Sequence, residues 1–398
     1  MKTAAVIAEY NPFHRGHAYQ LEQLRDEYGV THTAAVMSTS VTQRGEPALC
    51  DMFVRAHAAV LGGADAVFAL PYVYSAQTAE IFAGGGVRLA DSIGADILAF
   101  GCEDCEPELF SRTAEILIDE PDEYRAHLKY CLDQGLSFAV SRQKALEAVL
   151  NCSLELIRRP NNILAVEYIK ALKLINSSVR PVLIKRHMAG HASSSVSGGY
   201  AGSSHIRRMI LSGNEQKITE CFPEHEAVRE LVLNAEKNDI ERYNYVIKAF
   251  IKMSTDEQIR QTAYYEQGLE NRMREYAGLL NNGTECYIQA VSSSRYTKNR
   301  IRRLIMNLIL GYSAEDLEFF RQYTPGFVRL LAADEKGREL VNFIKQNSRI
   351  SVISNMLKED GQMNVHDRRT ADFDSKAYDF YHLHADAKDD RKIHPVII

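Results

Sequence analysis

The chain has 398 residues, of which 45% are hydrophobic and 25% charged, the usage of a globular protein of two or three domains and not of a fibrous or disordered one. Lys and Arg number 47 against 52 Asp and Glu, a net charge of −5, so a surface that binds nucleic acid has to be a local basic patch. The sequence lacks both the run of roughly 20 apolar residues that a transmembrane helix needs and the pattern of a signal peptide. Its seven scattered cysteines do not have the pattern of a disulfide framework. We therefore expect a cytoplasmic protein that does not bind a membrane.

Short apolar runs alternate with helical patterns in the first part of the chain. Strands are predicted at residues 4–8, 33–37, 65–70 and 96–100, and helices between them at about 16–28, 52–61 and 77–93. Strands that alternate with helices are typical of βαβ units in a mainly parallel sheet. Such a sheet binds its ligands at the carboxyl ends of its strands, so we expect the functional residues to follow the strands.

The remainder of the chain is mainly helical in pattern. Residues 106–172 have mostly helical spacing, residues 181–185 predict a strand, and residues 203–211 predict a helix. Later helices are predicted at residues 226–236, 242–253, 256–280, 298–310 and 314–322. We therefore predict an α/β fold, with a Rossmann-like domain at residues 1–215 and a mainly α-helical domain at residues 216–398. The polar tail at residues 372–392 is compatible with a docked strand, an ordered tail or a frayed end.

The segment that carries chemistry is residues 9–17, which read EYNPFHRGH and join the first strand to the first helix. A helix N-terminus offers unpaired N–H groups and a positive dipole end to an anion, and Gly16 lets the backbone approach a phosphate closely. His14 and His17 are three residues apart, so both imidazoles can donate to one phosphate chain. We therefore predict a triphosphate site, where positioning and charge neutralisation supply most of the catalysis. Half of a metal site is the alternative, but no Cys or carboxylate follows at ligand spacing, and no metal ligand is predicted.

A longer set of motifs, in order along the chain, resembles the tRNA(Met) cytidine acetate ligase family of the nucleotidylyltransferase superfamily. The matching segments are residues 8–17 (AEYNPFHRGH), 43–48 (QRGEPA), 63–65 (GAD), 70–72 (LPY), 100–101 (FG), 160–164 (PNNIL), 185–186 (KR) and 292–295 (SSSR). The resemblance implies an enzyme that uses ATP with Mg²⁺ to activate acetate as acetyl-adenylate. It also implies that N4 of the wobble cytidine of elongator tRNA(Met), position 34, is then acetylated. The departure is residues 37–40, which read MSTS where the family is expected to have Ser-Gly-Asn or similar.

The resemblance also implies site residues, with His14, His17 and Arg186 as catalytic groups. The nucleotide site carried over by position consists of Ile7, Ala8, Glu9, Tyr10, Asn11, Pro12, Phe13, His14, Arg15, Gly16, His17, Ala18, Tyr19, Gln20, Gly101, Asn162, Arg186 and His187. Ser203, Ser204 and Arg207 resemble the second phosphate motif of the superfamily. Helix capping is the alternative for the two serines and for Asn162.

Three further features leave their roles open. Arg44 follows the second predicted strand and could clamp a carboxylate or a phosphate, or lie in a solvated surface turn. Gly101 could let a nucleotide lie against the backbone, or form a plain turn at a strand end. Cys102 and Cys105 have neither a second cysteine pair for zinc nor positively charged neighbours, so we expect both to be structural.

A basic segment near residue 300 is the predicted RNA-binding surface. Arg295, Lys298, Arg300, Arg302 and Arg303 fall within nine positions. Apolar residues at helical spacing predict one buried face, with Arg295, Lys298 and Arg302 on the exposed one and residues 292–294 as the N-cap. Tyr296 could stack on an unpaired base. A solvated amphipathic helix without a partner is the alternative.

These observations predict an ATP-dependent, RNA-modifying ligase whose partners are acetate and elongator tRNA(Met). An adenylyltransferase that acts on a small metabolite would use the same N-terminal motif, but would leave the basic helical part unexplained. An RNA-binding protein with a regulatory nucleotide site is the alternative that is not an enzyme.

Overall fold

A parallel sheet forms the centre of the molecule. The computed structural model describes residues 1–152, 159–186, 198–293, 295–359, 361, 363–385 and 388–398. The strands β1 (Thr3–Ala8), β2 (His32–Ser38), β3 (Ala66–Leu70), β4 (Ile97–Cys102) and β5 (Arg180–Lys185) are parallel. Their spatial order is β5-β4-β1-β2-β3, which confirms the predicted mainly parallel α/β sheet.

Helices connect these strands and cover both faces of the sheet. They are α1 (Arg15–Asp26), α2 (Met52–Leu61), α3 (Tyr72–Ser75), α4 (Ala79–Ser92), α5 (Pro107–Asp119), α6 (Asp122–Asp133), α7 (Phe138–Leu150), α8 (Pro160–Leu174) and, after β5, α9 (Ser203–Leu211). Along β1, Ala5 and Ile7 belong to one buried cluster, and Ala4 and Val6 to another. This alternation gives the sheet a core on each side.

The later part of the chain is mainly helical, as predicted. Its helices are α10 (Glu226–Asn234), α11 (Asn244–Met253), α12 (Asp256–Gln261), α13 (Leu269–Glu275), α14 (Thr284–Val291), α15 (Lys298–Leu310), α16 (Ala314–Gln322), α17 (Glu335–Asn347), α18 (Met356–Glu359) and α19 (Val365–Tyr381). Short 3₁₀ helices lie at Glu215–Cys221, Ile240–Tyr243, Ala277–Asn282 and Asp390–Lys392. Within the described parts of the chain, no helix is long and apolar enough to span a membrane.

The later part also returns to the sheet, which the sequence analysis did not predict. The strand β6 (Phe327–Ala333) pairs antiparallel with β3 and parallel with β7 (Ser351–Ile353) and β8 (Val396–Ile397). It covers the edge that β3 would otherwise expose. The division of the chain between residues 215 and 216 stays a prediction, although residues beyond it contribute three strands to the sheet of residues 1–215.

One prediction about the helical part is wrong, and one of the alternatives for the tail is confirmed. The single helix predicted at residues 256–280 is broken into three pieces, α12, α13 and the 3₁₀ helix at Ala277–Asn282. The first break contains Tyr264 and Gly268, whose φ angles of 69° and 93° a right-handed helix excludes. Of the three alternatives for the polar tail, the ordered tail is confirmed for its first part, since α19 extends to Tyr381 and buries Phe373, Ala377 and Phe380 in the core.

Candidate active site

The loop between β1 and α1 is held in place by hydrogen bonds from three other segments. The Asn11 Oδ1 atom accepts from the Leu49 N–H at 2.8 Å, and the Glu9 carboxylate accepts from the Gln43 N–H at 2.8 Å. Arg55 donates to the carbonyl of Glu9 at 2.6 Å and to that of Thr39. The backbone after β1 is therefore fixed from the side of β2.

His14 and His17 lie together at the start of α1. His14 is the N-cap, and its Nδ1 accepts from the Gly16 N–H at 3.1 Å, while the His17 Nδ1 accepts from the His14 N–H at 3.3 Å. The two rings stack with centroids 3.7 Å apart. Because both Nδ1 atoms accept, each neutral ring carries its proton on Nε2.

Burial and nearby cations keep both imidazoles neutral. Burial, with the Arg186 and Arg207 guanidinium groups nearby, lowers the pKa of His14 to about 3. Burial, His14 and Arg186 also lower the pKa of His17 well below its usual value. The pair can thus offer N–H donors to an anion across the physiological pH range without changing charge.

Two arginines and a serine from distant segments approach this pair. Arg207 donates to the carbonyl of Asn11 at 2.7 Å and to the Ser204 hydroxyl at 3.3 Å. The Ser203 hydroxyl lies 3.0 Å from the Nε2 atom of His14. Arg186, directly after β5, donates to the Asn161 side chain at 3.4 Å. The residues at the ends of β1 and β5 and at the start of α9 therefore form one cationic, donor-rich site, as an anion requires.

Gly101 leaves room for the side chain of Arg186. A Cβ atom on Gly101 would lie 3.2 Å from the Cγ atom of Arg186, so the arginine side chain crosses the strand end where the glycine leaves room. Next to it, the Asn162 Oδ1 atom accepts from the Glu103 N–H at 3.0 Å. These contacts fix the segment that follows β4.

The alternative of helix capping is wrong for all three residues for which it was considered. The N-cap of α9 is Gly202, so Ser203 and Ser204 lie inside the first turn, where Ser203 faces His14. The N-cap of α8 is Arg159, and Asn162 contacts Glu103 instead. The nucleotide roles of Ser203, Ser204 and Asn162 stay predictions.

Other residues carried over for the nucleotide site have different surroundings. Tyr10 and Phe13 are almost fully buried, and both rings pack against the ring of His17. Arg15 ion-pairs with Glu224 at 3.8 Å and lies over the Tyr200 ring. His187 lies outside the described residues.

Two elements of the site were missed from the sequence. Arg55 is fully buried in α2. A lone charged residue in an otherwise apolar helix is the sequence signal from which it could have been identified. Asp374 of α19 lies in the polar tail and was not identified as a site residue. Its carboxylate accepts from the Thr39 hydroxyl at 3.0 Å and from the Tyr72 N–H at 2.7 Å, and burial raises its pKa to about 7.

The segment after β4 also contains a disulfide bond between Cys102 and Cys105, a bond that the sequence analysis did not predict. Among the residues that the structure describes, no three His, Cys, Asp or Glu side chains converge in a way that could hold a metal ion.

The basic helix is α15, with the predicted bounds, but its environment differs from the prediction. Its N-cap is Thr297 and not residues 292–294. Arg302 is wrongly predicted as exposed: only 11% of its side chain is accessible, because it pairs with Glu46 at 2.9 Å and with Glu285. Arg295 and Lys298 are 67% and 42% exposed, in ion pairs with Glu266 and Glu285.

Tyr296 is half-buried. Its hydroxyl donates to the carbonyl of Gln267 at 3.1 Å, and Arg295 lies over its ring at 5.3 Å. One face of the ring is thus already occupied. The predicted stacking of Tyr296 on a base stays a prediction.

The fold and the paired histidines at the start of α1 define a nucleotidyl transferase. The chain matches the family described as HIGH Nucleotidyl Transferase over residues 1–394. It is 34% identical to the tRNA(Met) cytidine acetate ligase of Acetivibrio thermocellus, over 89% of this chain and 88% of the relative. It is 32% identical to the ligase of the same name from Caldanaerobacter subterraneus subsp. tengcongensis, over 96% and 95% of the two chains.

Solved structures agree with these relatives over the whole chain. The apo structure of Thermotoga maritima TmcAL superposes with a TM-score of 0.93 at 29% identity and covers 100% of both chains. The same protein bound to alpha-thio ATP gives a TM-score of 0.91 at 28% identity, again over 100% of both chains. The chain belongs to the tRNA(Met) cytidine acetate ligase family.

Proposed function

We propose that this protein is an ATP-dependent ligase that activates acetate as acetyl-adenylate and acetylates N4 of the wobble cytidine, position 34, of elongator tRNA(Met). The observation that carries this function is the neutral His14–His17 pair beside Arg186 and Arg207, in a chain that belongs to the ligase family. Acetate and the tRNA are implied by the names of the relatives and by the family that the motifs resemble.

The first step is the transfer of adenylate to acetate. A carboxylate oxygen of acetate attacks the α-phosphorus of ATP, and pyrophosphate leaves with the electrons of the broken P–O bond. His14 and His17 donate from Nε2 to the phosphate oxygens, and Arg186 and Arg207 neutralise their growing charge. Preorganised donors of this kind cost no reorganisation during the reaction.

The second step needs no covalent intermediate on the protein. The N4 amine of the cytidine attacks the acetyl carbonyl carbon, AMP leaves, and the amine loses a proton to solvent. Mg²⁺ would enter as the complex with ATP, held by phosphate oxygens, the hard ligands that it prefers, where it would neutralise charge on the phosphates. Gly101 and the segment fixed by Asn162 would bound the nucleoside end of ATP.

Transfer of labelled acetate to bulk tRNA, followed by nucleoside mass spectrometry, tests the function. N4-acetylcytidine should form only when ATP, Mg²⁺ and acetate are all present. Pyrophosphate exchange with another carboxylic acid and none with acetate would overturn the choice of substrate. ATP binding without exchange under any acid would overturn the enzymatic function.

Two variants separate the steps. His17→Ala should abolish pyrophosphate exchange, and near-wild-type exchange would remove His17 from the mechanism. The double change Arg295→Ala with Lys298→Ala should leave exchange intact and weaken tRNA binding, because both cations are exposed, Arg295 just before α15 and Lys298 at its start. Unchanged tRNA affinity would place the RNA elsewhere.

A further inference from the structure

The helix α11 exposes an aromatic ring and cations on one face. The side chain of Tyr245 is 86% exposed, whereas Ile247 and Ile251 are fully buried beneath the helix. Lys248 and Lys252 follow Tyr245 at three and seven residues and therefore lie on the same side as its ring. Lys252 is exposed, whereas Lys248 is half-buried and its Nζ donates to the Asn281 side chain at 2.6 Å. The helix, NYVIKAFIKM, contains no acidic residue. This face is therefore both apolar and positively charged.

Hydrogen bonds and an ion pair connect the start of α11 with the basic helix α15. The Glu241 carboxylate, one helical turn before Tyr245, accepts from the N–H groups of Thr284 and Glu285 at 2.7 and 2.8 Å. The Glu285 side chain in turn pairs with Lys298 at 3.1 Å. These contacts connect the start of α11 with the exposed lysine of α15 through two carboxylates that are both engaged, Glu241 by backbone N–H groups and Glu285 by Lys298 and Arg302.

The same region is also connected to the loop that carries the histidines. The Asn238 N–H donates to the carbonyl of Leu49 at 2.8 Å, and the Leu49 N–H donates to the side chain of Asn11 at 2.8 Å. The chain reaches Tyr245 seven residues after Asn238. The segment that leads into α11 is therefore anchored to the loop that carries the histidines, at the edge of the sheet to which a bound tRNA has to bring its cytidine.

We propose that this face of α11, formed by Tyr245, Lys248 and Lys252, binds the single-stranded loop of the tRNA substrate, with Tyr245 stacking on an unpaired base. This inference rests on the proposed function. Stacking on an aromatic ring beside phosphate-binding cations is the usual way in which single-stranded RNA is held. The positive charge of the face favours RNA over a second protein surface.

Binding of an elongator tRNA(Met) transcript to the full-length protein tests the proposal, with acetate-dependent pyrophosphate exchange measured without RNA. Tyr245→Ala should weaken tRNA binding about tenfold and leave exchange unchanged, whereas Tyr245→Phe should bind as the wild type does. The control is Tyr130→Ala, which removes a 64% exposed tyrosine from α6 and should have no effect. The double change Lys248→Ala with Lys252→Ala should weaken binding and lower the salt dependence by about two phosphate contacts.

Each contrary outcome is distinct. Unchanged tRNA affinity in Tyr245→Ala would overturn the proposal, and a change in sedimentation of that variant would then assign the face to a protein contact. Equal losses in the alanine and phenylalanine variants would overturn the stacking role. Because binding is measured directly, a wild-type protein that binds tRNA through Tyr245 but forms no acetylcytidine would overturn the proposed function and support this inference.

Discussion

Arg302 of the basic helix α15 forms an ion pair with Glu46, on the loop after β2, at 2.9 Å. The same loop approaches the helix backbone closely at Gly45, where a Cβ atom would lie only 2.6 Å from the backbone nitrogen of Arg303. Gln43 continues the contact, because its carbonyl accepts from Arg303 at 3.2 Å and its N–H donates to Glu9. The helix with the predicted RNA contacts is thus fixed directly to the loop that supports the histidines.

The Arg302–Glu46 pair should contribute measurably to stability. Water reaches little of Arg302, so a double-mutant cycle of Arg302→Ala and Glu46→Ala should give a coupling free energy of about 1 kcal/mol in urea unfolding. The control cycle on Arg295 and Glu266 should give less, because Arg295 is 67% exposed. If the effects of Arg302→Ala and Glu46→Ala on the free energy of unfolding simply add, the ion pair between them does not contribute to stability.

His14→Asn should distinguish the role of His14 as the N-cap of α1 from its role in the reaction. Asparagine is a good N-cap and can accept from the Gly16 N–H, so the melting temperature should change little. The Nε2 donor is lost, and the rate of pyrophosphate exchange should fall about a hundredfold. An exchange rate close to that of the wild type would mean that His14 acts only as a cap.

Asp374→Asn should change how stability depends on pH. Burial raises the pKa of Asp374 from 3.8 to about 7, so the native state keeps a proton that the unfolded state releases between these values. The stability of the wild type should therefore decline as the pH rises through this window. The variant retains an oxygen for Thr39 and Tyr72 but cannot titrate, so it should gain stability relative to the wild type with rising pH, by a few kcal/mol.

Thermal melts of both proteins across that pH range would measure the effect. Asp372→Asn, an exposed change in the same helix, is the matched control and should leave the profile as it is. Parallel profiles for the wild type and Asp374→Asn would show that Asp374 is ionised in the native state throughout.

Gly101→Ala should act on the nucleotide through Arg186. The added methyl group would approach the Arg186 side chain at 3.2 Å, and a small displacement of a positioning group is costly to a reaction. We expect the KM for ATP to rise about tenfold, with no change in the KM for tRNA. Gly278→Ala, where a Cβ atom meets nothing within 4 Å, is the control. Wild-type kinetics for Gly101→Ala would mean that Arg186 does not contact the nucleotide.

Predictions from local sequence patterns were correct where the structure of a segment depends on residues close to it in the chain. The helix α15 was predicted with its observed bounds, since its apolar spacing reports the face that meets the core. The predicted exposure of Arg302 was wrong. Helical spacing indicates which side of a helix packs against the core, but it gives no information about contacts with a loop from another part of the chain. Glu46 precedes Arg302 by 256 residues, and its contact has no local signature.

The sequence by itself determined the strand–turn–helix unit with His14, Gly16 and His17, because the N-cap, the helix dipole and the spacing of the two imidazoles are properties of adjacent residues. Only the tertiary structure decided which groups face that unit. Ser203, Arg186 and Arg207 reach it from strand and helix ends far along the chain, and Asp374 reaches the neighbouring strand ends from the tail. The physical reason is that a sheet brings the carboxyl ends of distant strands to one edge, while the burial that sets the pKa values of His14 and Asp374 arises only when these segments have packed together.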